Sequence, residues 1–510
     1  MSATEASAPV TNDVVAGEVE TIVTTAAGAA SGWAALEPMR RAGALVQAAE
    51  ALLAARGELV AIAMAETGLT EARLNGELTR TAVQLKLFAE TIVDGTYLDV
   101  RIDAVDSEFV LGPRPDVRRY LVALGPVVNF AASNFPFAFS VAGGDTAAAL
   151  AAGCPVIVKA HSGHPKLSVR TGEIVAAALE AAGAPHGTLQ VISGQAHGVA
   201  ALQHPLVRAG SFTGSIRVGT FLAQVAAARP VPIPFFGELG SVNPVFVTAG
   251  ALAERSETIA DGFVTSVSGS AGQLCTKPGF LFVPASESAA LRDRIVHAVT
   301  GLPEHRLLNP GITAGYRDRR NAILAAPGVT TISEGSLRID EDGHGWATPT
   351  IVAVSAADLV ASKASLSEEA FGPLAIVVEH GDEKLTDIAE ELFEGNLTGT
   401  IHLAQGEDSE SLRSLITWLT AHVGRVLFDG WPTGVAVTPA MQHGGPWPAT
   451  TNDSSTSVGT AAIGRFLRPV AYQNAPQSLL PEALRDANAW GVPQTRNAAG
   501  ESAGWGNLTA

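Results

Sequence analysis

The stretch Gly125-Pro-Val-Val-Asn-Phe-Ala-Ala-Ser-Asn134-Phe-Pro-Phe-Ala-Phe139, with Ala147-Ala-Ala-Leu-Ala-Ala-Gly153 and Cys154-Pro-Val-Ile-Val-Lys159 behind it, decides the fold. Val127–Ala132 is an apolar run of strand length, Phe139–Ala152 reads as a helix closed by Gly153, and Pro155–Ala160 is a second strand. The rhythm continues with a helix over Lys166–Ala182, a strand over Leu189–Ser193 and a short helix over Gly198–Gln203. A strand over Ala209–Thr213 and a helix over Ser215–Ala228 follow. Strand, helix, strand in this order needs parallel strands joined by right-handed crossovers. The expected class is α/β, a doubly wound parallel sheet with its ligand site at the carboxyl ends of the strands. Asn134, Lys159 and Gly214 fall at those ends.

Upstream, Arg40 to about Met64 and Glu71 to Ile92 carry apolar residues at three- and four-residue spacing and read as packing helices without evident chemistry. Residues 1–17 read as a loose tail. Thr21–Leu36 reads as helix and turn near the surface, too short and too weakly apolar to span a membrane. Residues 108–124, around Pro113-Arg-Pro115, read as a hairpin. Downstream of Pro234-Phe-Phe-Gly-Glu238-Leu-Gly240 a second α/β block is expected. Its strands are Val245–Val247, Gly279–Val283, Thr350–Val354 and Leu374–Val378, with a helix over Glu287–Thr300. Segments Glu383–Phe393, Asp408–His422 and Arg425–Phe428 continue the alternation. Trp431–Tyr472, rich in Gly, Pro and Thr, reads as loops over a cleft, and 491–510 as a flexible tail.

The 510 residues are too many for one core and suggest two to four lobes. With 33 basic and 50 acidic residues the net charge is −17, which argues against nucleic-acid binding but leaves anionic small substrates open. Two cysteines, Cys154 and Cys275, make no disulfide framework and no CxxC metal spacing, so no metal is expected. A reducing cytoplasm is the expected compartment. No basic residue precedes Arg40, so no secretory signal with a charged start is read. Cys154 reads as a structural thiol.

Cys275 stands in Ser268-Gly-Ser-Ala-Gly-Gln-Leu-Cys275-Thr-Lys-Pro278, where small residues let the backbone approach a ligand. A thiolate there would be a nucleophile. It follows Ser-Asn134-Phe-Pro, Val-Lys159-Ala-His, Phe-Thr-Gly214-Ser and Gly-Glu238-Leu-Gly, and precedes Glu-Glu369-Ala-Phe371-Gly-Pro. This order of motifs resembles the aldehyde dehydrogenase superfamily, from the Arg40 helix to about Tyr472. Met441-Gln-His-Gly-Gly-Pro-Trp-Pro-Ala-Thr450 and Gly464-Arg-Phe-Leu-Arg-Pro-Val-Ala-Tyr472 resemble a narrower branch. That branch holds NADP-dependent aldehyde dehydrogenases and α-ketoglutaric semialdehyde (2,5-dioxopentanoate) dehydrogenases.

The resemblance implies roles. Cys275 attacks the aldehyde, and Asn134 with the Cys275 N–H receives the oxyanion. Glu238 activates water against the thioester, which favours a free acid over a coenzyme A ester. Lys159 holds the adenosine ribose. Ser162 stands where NAD-preferring relatives carry a carboxylate, so NADP is the expected cofactor and NAD is possible. Gly214, Ser215 and Gly219 open a helix toward the pyrophosphate. Glu369 and Phe371 meet the nicotinamide ribose and ring. His161 and His164 are candidates for the 2′-phosphate, with His197 and Arg217 near the place of a missing arginine. His443-Gly-Gly shapes the substrate mouth.

The expected division is a dinucleotide-binding domain over 18–107 and 125–240 and a catalytic domain over 241–440. Oligomerisation elements at 108–124 and 465–475 imply a homodimer or homotetramer. The expected partner is a small aldehyde, with no nucleic acid and no membrane. α-Ketoglutarate semialdehyde is the best guess and a broad aliphatic aldehyde the alternative. Readings from other classes are a cofactor-independent thiol esterase and a non-catalytic binding protein.

Overall fold

The computed structural model describes residues 12–507. Strands β1 (Val127–Phe130), β2 (Val156–Lys159), β3 (Leu189–Ile192), β4 (Ala209–Thr213) and β5 (Phe235–Glu238) form one parallel sheet in the order β3-β2-β1-β4-β5. Helices Gly144–Ala152, Pro165–Ala181, Gln195–Gln203 and Ile216–Ala227 make the crossovers. Covered on both faces, the central strands are apolar without alternation: Val127, Val128, Val156, Ile157 and Val158 are all fully buried. The first crossover helix starts at Gly144 rather than Phe139. The Glu77 carboxylate accepts from the N–H groups of Phe137 and Ala138 at 2.8 and 3.0 Å, which holds that stretch in turns.

The second sheet holds β6 (Pro244–Val247), β7 (Phe280–Pro284), β8 (Thr330–Ser333), β9 (Thr350–Ser355), β10 (Leu374–His380), β11 (Asn396–His402) and β12 (Val423–Phe428). Their order is β8-β9-β10-β7-β6-β11-β12, parallel except where β8 meets β9. Strand β11 escaped sequence reading because Asn396, Thr398, Thr400 and His402 look like surface residues. All four are buried.

Helices Pro38–Ala54 and Glu71–Asp94 pack on the first sheet's layer. Thr70 caps the second of them, and Gly95 ends it in the left-handed region (φ 73). Leu74, Leu78, Leu85 and Ile92 are fully buried, each contributing about 1.5–3 kcal/mol. Helix Asn12–Ala34 is not the surface element expected. Val23, Ala26 and Trp33 are buried, and Trp33 donates to the Leu150 carbonyl at 3.0 Å. The expected loose tail over 1–17 is corrected at 12–17, which open this helix, and residues 1–11 lie outside the described residues.

A third sheet runs Leu467–Gln473, Val117–Ala123, Val100–Asp103, Gln494–Asn497. The expected hairpin at 108–124 is therefore displaced: the partner of Val117–Ala123 is Val100–Asp103, across a thirteen-residue connection from 104 to 116. The expected flexible tail at 491–510 is also corrected. Gln494–Asn497 pairs in parallel with Val100–Asp103, while Leu480, Leu484 and Val492 bury against Leu98, Val100 and Ile102. Its polar side chains hid a strand held by backbone bonds. Among the described residues, no helix is long and apolar enough to cross a membrane.

Candidate active site

The cysteine loop is delivered by helix Ala249–Ser268, which Thr248 caps, and is followed by β7. Between them Ser270, Ala271 and Gly272 turn through the left-handed region with φ of 53°, 54° and 64°. For the two non-glycines this costs on the order of 1 kcal/mol each, so neighbours must hold the turn. A Cβ on Gly272 would lie 2.3 Å from the Gly372 carbonyl oxygen, so only glycine fits. Buried Gln273 accepts from Leu308 N–H at 2.8 Å through Oε1. Asn243 Nδ2 donates to the carbonyls of Cys275 (2.8 Å) and Lys277 (3.0 Å), while its Oδ1 accepts from Thr398 N–H at 3.1 Å. Asn243 thus ties the loop to β11. Sequence reading missed Asn243 and Gln273, whose partners are distant in the chain.

Sγ of half-buried Cys275 lies 3.5 Å from His443 Nε2, and that nitrogen lies 2.9 Å from Glu238 Oε1. The contact to Glu238 is close but off the line of a good hydrogen bond. Ser457 Oγ donates to the other Glu238 oxygen. His443 and Glu238 are buried at 1% side-chain exposure each. Glu238 ends β5, and the loop carrying His443 is latched there by Leu239 N–H to Ala449 O (2.8 Å) and Thr451 N–H to Gly237 O (3.0 Å). His443 therefore does more than shape a mouth: it stands between thiol and carboxylate. Its Gly-Gly neighbours allow close packing, since a Cβ on Gly445 would lie 2.2 Å from the Asn396 carbonyl oxygen.

Burial, then the charges of Glu238 and Glu369, push the Cys275 thiol well above its ordinary value, with Arg80 opposing them. The resting sulfur is thus protonated and needs a base. Burial alone would raise the Glu238 carboxyl, but His443, Ser457 and Arg465 outweigh it and hold the group below its usual range. Arg465 is itself anchored by Asp145 at 2.7 Å, both nearly sealed. Orphaning either would cost about 3–5 kcal/mol.

Asn134 Nδ2 donates to the Gln273 carbonyl at 3.0 Å, linking the two loops and leaving its second proton available. The Cys275 N–H has no acceptor among the described residues. Helix Glu71–Asp94 fixes the Asn134 loop. Arg73 Nη2 donates to the Asn134 carbonyl at 2.5 Å, and Glu77 binds the next two free N–H groups. The apolar spacing of this helix predicts packing alone, and its polar face adds this second role. Arg73, Glu77 and Arg80, at i, i+4 and i+7 on one face, were the signal.

The carboxyl edge of the first sheet fits a dinucleotide. Lys159 ends β2, half-buried and without a hydrogen-bond partner among the described residues, and burial lowers its ammonium. Ser162 is exposed in the next turn. Ser215 caps helix Ile216–Ala227 by accepting from Val218 N–H, and Gly214 precedes it at the exposed helix start. Gly219 is buried, where a Cβ would lie 2.0 Å from Leu239. Glu369 has no hydrogen-bond partner among the described residues and lies beside Gly240, where a Cβ would be 2.7 Å from its Oε2. Burial pushes its carboxyl up to about 7, with Lys277 drawing it back. Buried Lys277, which donates to Leu374 O at 2.6 Å, is lowered to about 8. Phe371 is half-buried against the first domain's core.

The histidine candidates for a 2′-phosphate are corrected. His164 is fully buried and spends both ring nitrogens on Ala132 O (2.9 Å) and Ser168 Oγ (3.0 Å). Burial holds His161 down to about 3, so it is uncharged at neutral pH. His197 is occupied by Glu18 at 2.8 Å. Arg217 is exposed in the first turn of Ile216–Ala227 and free of ion pairs among the described residues. Cys154 is sealed, its thiol pushed up to about 11 by burial.

Comparison with known proteins gives the family. The chain is 42% identical over 499 residues to alpha-ketoglutaric semialdehyde dehydrogenase 2 of Azospirillum brasilense, covering 97% of this chain and 94% of that protein. It is 44% identical over 440 residues to alpha-ketoglutaric semialdehyde dehydrogenase of Acinetobacter baylyi, covering 84% and 81%. The crystal structure of NAD-dependent aldehyde dehydrogenase from Sinorhizobium meliloti shares the fold with a TM-score of 0.74 at 23% identity, over 90% of this chain and 88% of that one. The structure of 3,6-anhydro-L-galactose dehydrogenase in complex with NAP does so with a TM-score of 0.76 at 21% identity, over 90% and 92%. The sequence profile of the aldehyde dehydrogenase family matches residues 4–413. The profile match and two relatives that span most of the chain have one reading: the chain belongs to the aldehyde dehydrogenase family.

Proposed function

We propose that the chain oxidises α-ketoglutaric semialdehyde to 2-oxoglutarate, with NADP as preferred acceptor and NAD as a second one. The observation that carries the chemistry is the contact chain from Cys275 Sγ through His443 Nε2 to Glu238, at 3.5 and 2.9 Å. The substrate rests on the names of the two semialdehyde dehydrogenases, which align with most of the chain.

The protonated thiol gives its proton to His443, whose positive charge Glu238 balances. Sulfur then bonds to the aldehyde carbon, and the oxygen gains charge opposite Asn134 Nδ2–H and the Cys275 N–H. A nicotinamide dinucleotide along the sheet edge supplies the acceptor for the hydride from that carbon. Lys159, the Gly214–Ser215 helix start and Glu369 would hold it, with Phe371 beside the ring. Ser162, which brings no negative charge, and exposed Arg217 support a 2′-phosphate. Glu238 then takes a proton from water, whose oxygen attacks the thioester carbon. The C–S bond breaks, and the acid leaves.

The test is rapid mixing with semialdehyde and NADP. Cys275→Ser should abolish reduction while cofactor binding by calorimetry persists. Glu238→Gln should release about one NADPH per site and then stall, with steady-state turnover down about 10³-fold. Ordinary turnover in either variant overturns the mechanism. The third sheet exposes the edge strand Leu467–Gln473, which supports pairing between copies; light scattering at twice the chain's 52.3 kDa or more would agree.

A further inference from the structure

We infer that Arg80 is the subsite for the carboxylate at the far end of the substrate. Three arginines stand around the Cys275 cleft: Arg73 supports Asn134, and the sulfur's charge acts on Arg80 and Arg425. Two of them are committed to the fold. Arg73 donates to the Asn134 carbonyl and sits 3.8 Å from Glu77. Arg425 donates to the carbonyls of Gly434 (3.2 Å) and Pro432 (2.7 Å).

Arg80 is different. It makes no hydrogen bond and no ion pair among the described residues, and its Nε is sealed from solvent without a partner. Its guanidinium lies over the rings of Phe135 and Phe139, 5.8 and 5.3 Å from their centroids. Phe135 adjoins Asn134, and the Phe139 ring lies 6.3 Å from that of His443. Burial penalises its charge, and the charges of Glu77, Cys275 and Glu238 act against that penalty.

A half-buried guanidinium without a carboxylate is costly to keep. The Glu77 charge eases that cost without a hydrogen bond: its Oε1 is spent on Phe137 and Ala138, and its Oε2 has no hydrogen-bond partner among the described residues. The guanidinium lies beside two rings and its donors have no protein acceptor among the described residues, which leaves the fork available for bidentate binding of a planar carboxylate. A 2-oxo acid presents a carboxylate and an adjacent ketone oxygen, both acceptors. An aldehyde carbon at Cys275 with that group toward Arg80 would lie between Phe135 and Phe139. In a chain of net charge −17 the cleft offers an anion a local attraction.

This inference rests on the aldehyde-oxidation reading, and the test separates the two. Wild type, Arg80→Met and Arg80→Lys are assayed on α-ketoglutaric semialdehyde and on pentanal, which has the same chain length without the anion. Arg80→Met should lose about 100-fold in kcat/KM on the semialdehyde, mostly through KM, and less than about ten-fold on pentanal, the share that comes from losing the Arg80 charge beside Cys275. Arg80→Lys, a charge without the fork, should fall between. 2-Oxoglutarate should inhibit pentanal oxidation by wild type and fail against Arg80→Met. Equal losses on both aldehydes, or no loss on the semialdehyde, overturn the subsite. If Arg80→Met does not fold, Arg80→Lys decides by the same two ratios. If wild type oxidises neither aldehyde, the aldehyde reading itself has failed.

Discussion

Two polar clusters flank the Asn134 loop, and they are built on opposite rules. On one side Glu238, His443, Ser457 and Cys275 form a set in mutual contact, with His443 and Ser457 each against one Glu238 oxygen. On the other, Arg73, Glu77 and Arg80 share one helix face, and the set is left incomplete at Arg80. Groups in mutual contact can pass a proton among themselves when a reaction calls for it. An incomplete set in a cleft keeps a charge waiting for a ligand. The difference teaches where chemistry and where selection sit: turnover should depend on the first cluster and substrate choice on the second.

The comparison breaks most sharply at His443. His443→Ala should lower kcat about 10²–10³-fold at neutral pH with little change in cofactor affinity. It should also slow alkylation of Cys275 by iodoacetamide, because the thiol loses its base. Unchanged alkylation would leave the histidine a spacer. Next comes Glu77. Glu77→Gln keeps the shape but weakens the grip on Phe137 and Ala138, and should cost about 1–3 kcal/mol in denaturant unfolding. A fall of about ten-fold in kcat should accompany it as Asn134 loosens. Full stability with full activity would make the second cluster irrelevant to the oxyanion donor.

The smallest effect concerns Glu369. Its carboxyl is raised to about 7, so it carries a proton below that pH and a charge above it. A carboxylate is the better acceptor for ribose hydroxyls, so the KM for NADP should rise a few-fold as pH falls through about 7. Glu369→Gln should flatten that profile. A profile that persists in this variant assigns the titration elsewhere.

The parallel nucleotide sheet was legible because its strands are buried on both faces and written as unbroken apolar runs, as in Val156-Ile-Val-Lys159. Cys275 and Glu238 were legible because motifs surround them. What stayed hidden had a common cause. Asn243, Gln273 and Glu77 act through hydrogen bonds to backbone far along the chain, which leaves no local pattern. Strand β11 is a polar sequence buried by satisfying its hydroxyls and amides, so its composition spoke for a surface. His443 was visible as a motif residue, yet its distance to the thiol exists only once the Ala449 and Thr451 latches are closed.

The parallel pairing of Gln494–Asn497 with Val100–Asp103 has a practical side. A truncated version of the protein cut before residue 494 would remove the backbone partner of Val100–Asp103 while leaving Leu480, Leu484 and Val492 over its inward side chains. Such a preparation would expose a row of unpaired backbone N–H and C=O groups and invite self-association in the test tube. Any shortened version made for crystallisation or for fusion to another enzyme should keep the chain through at least Asn497.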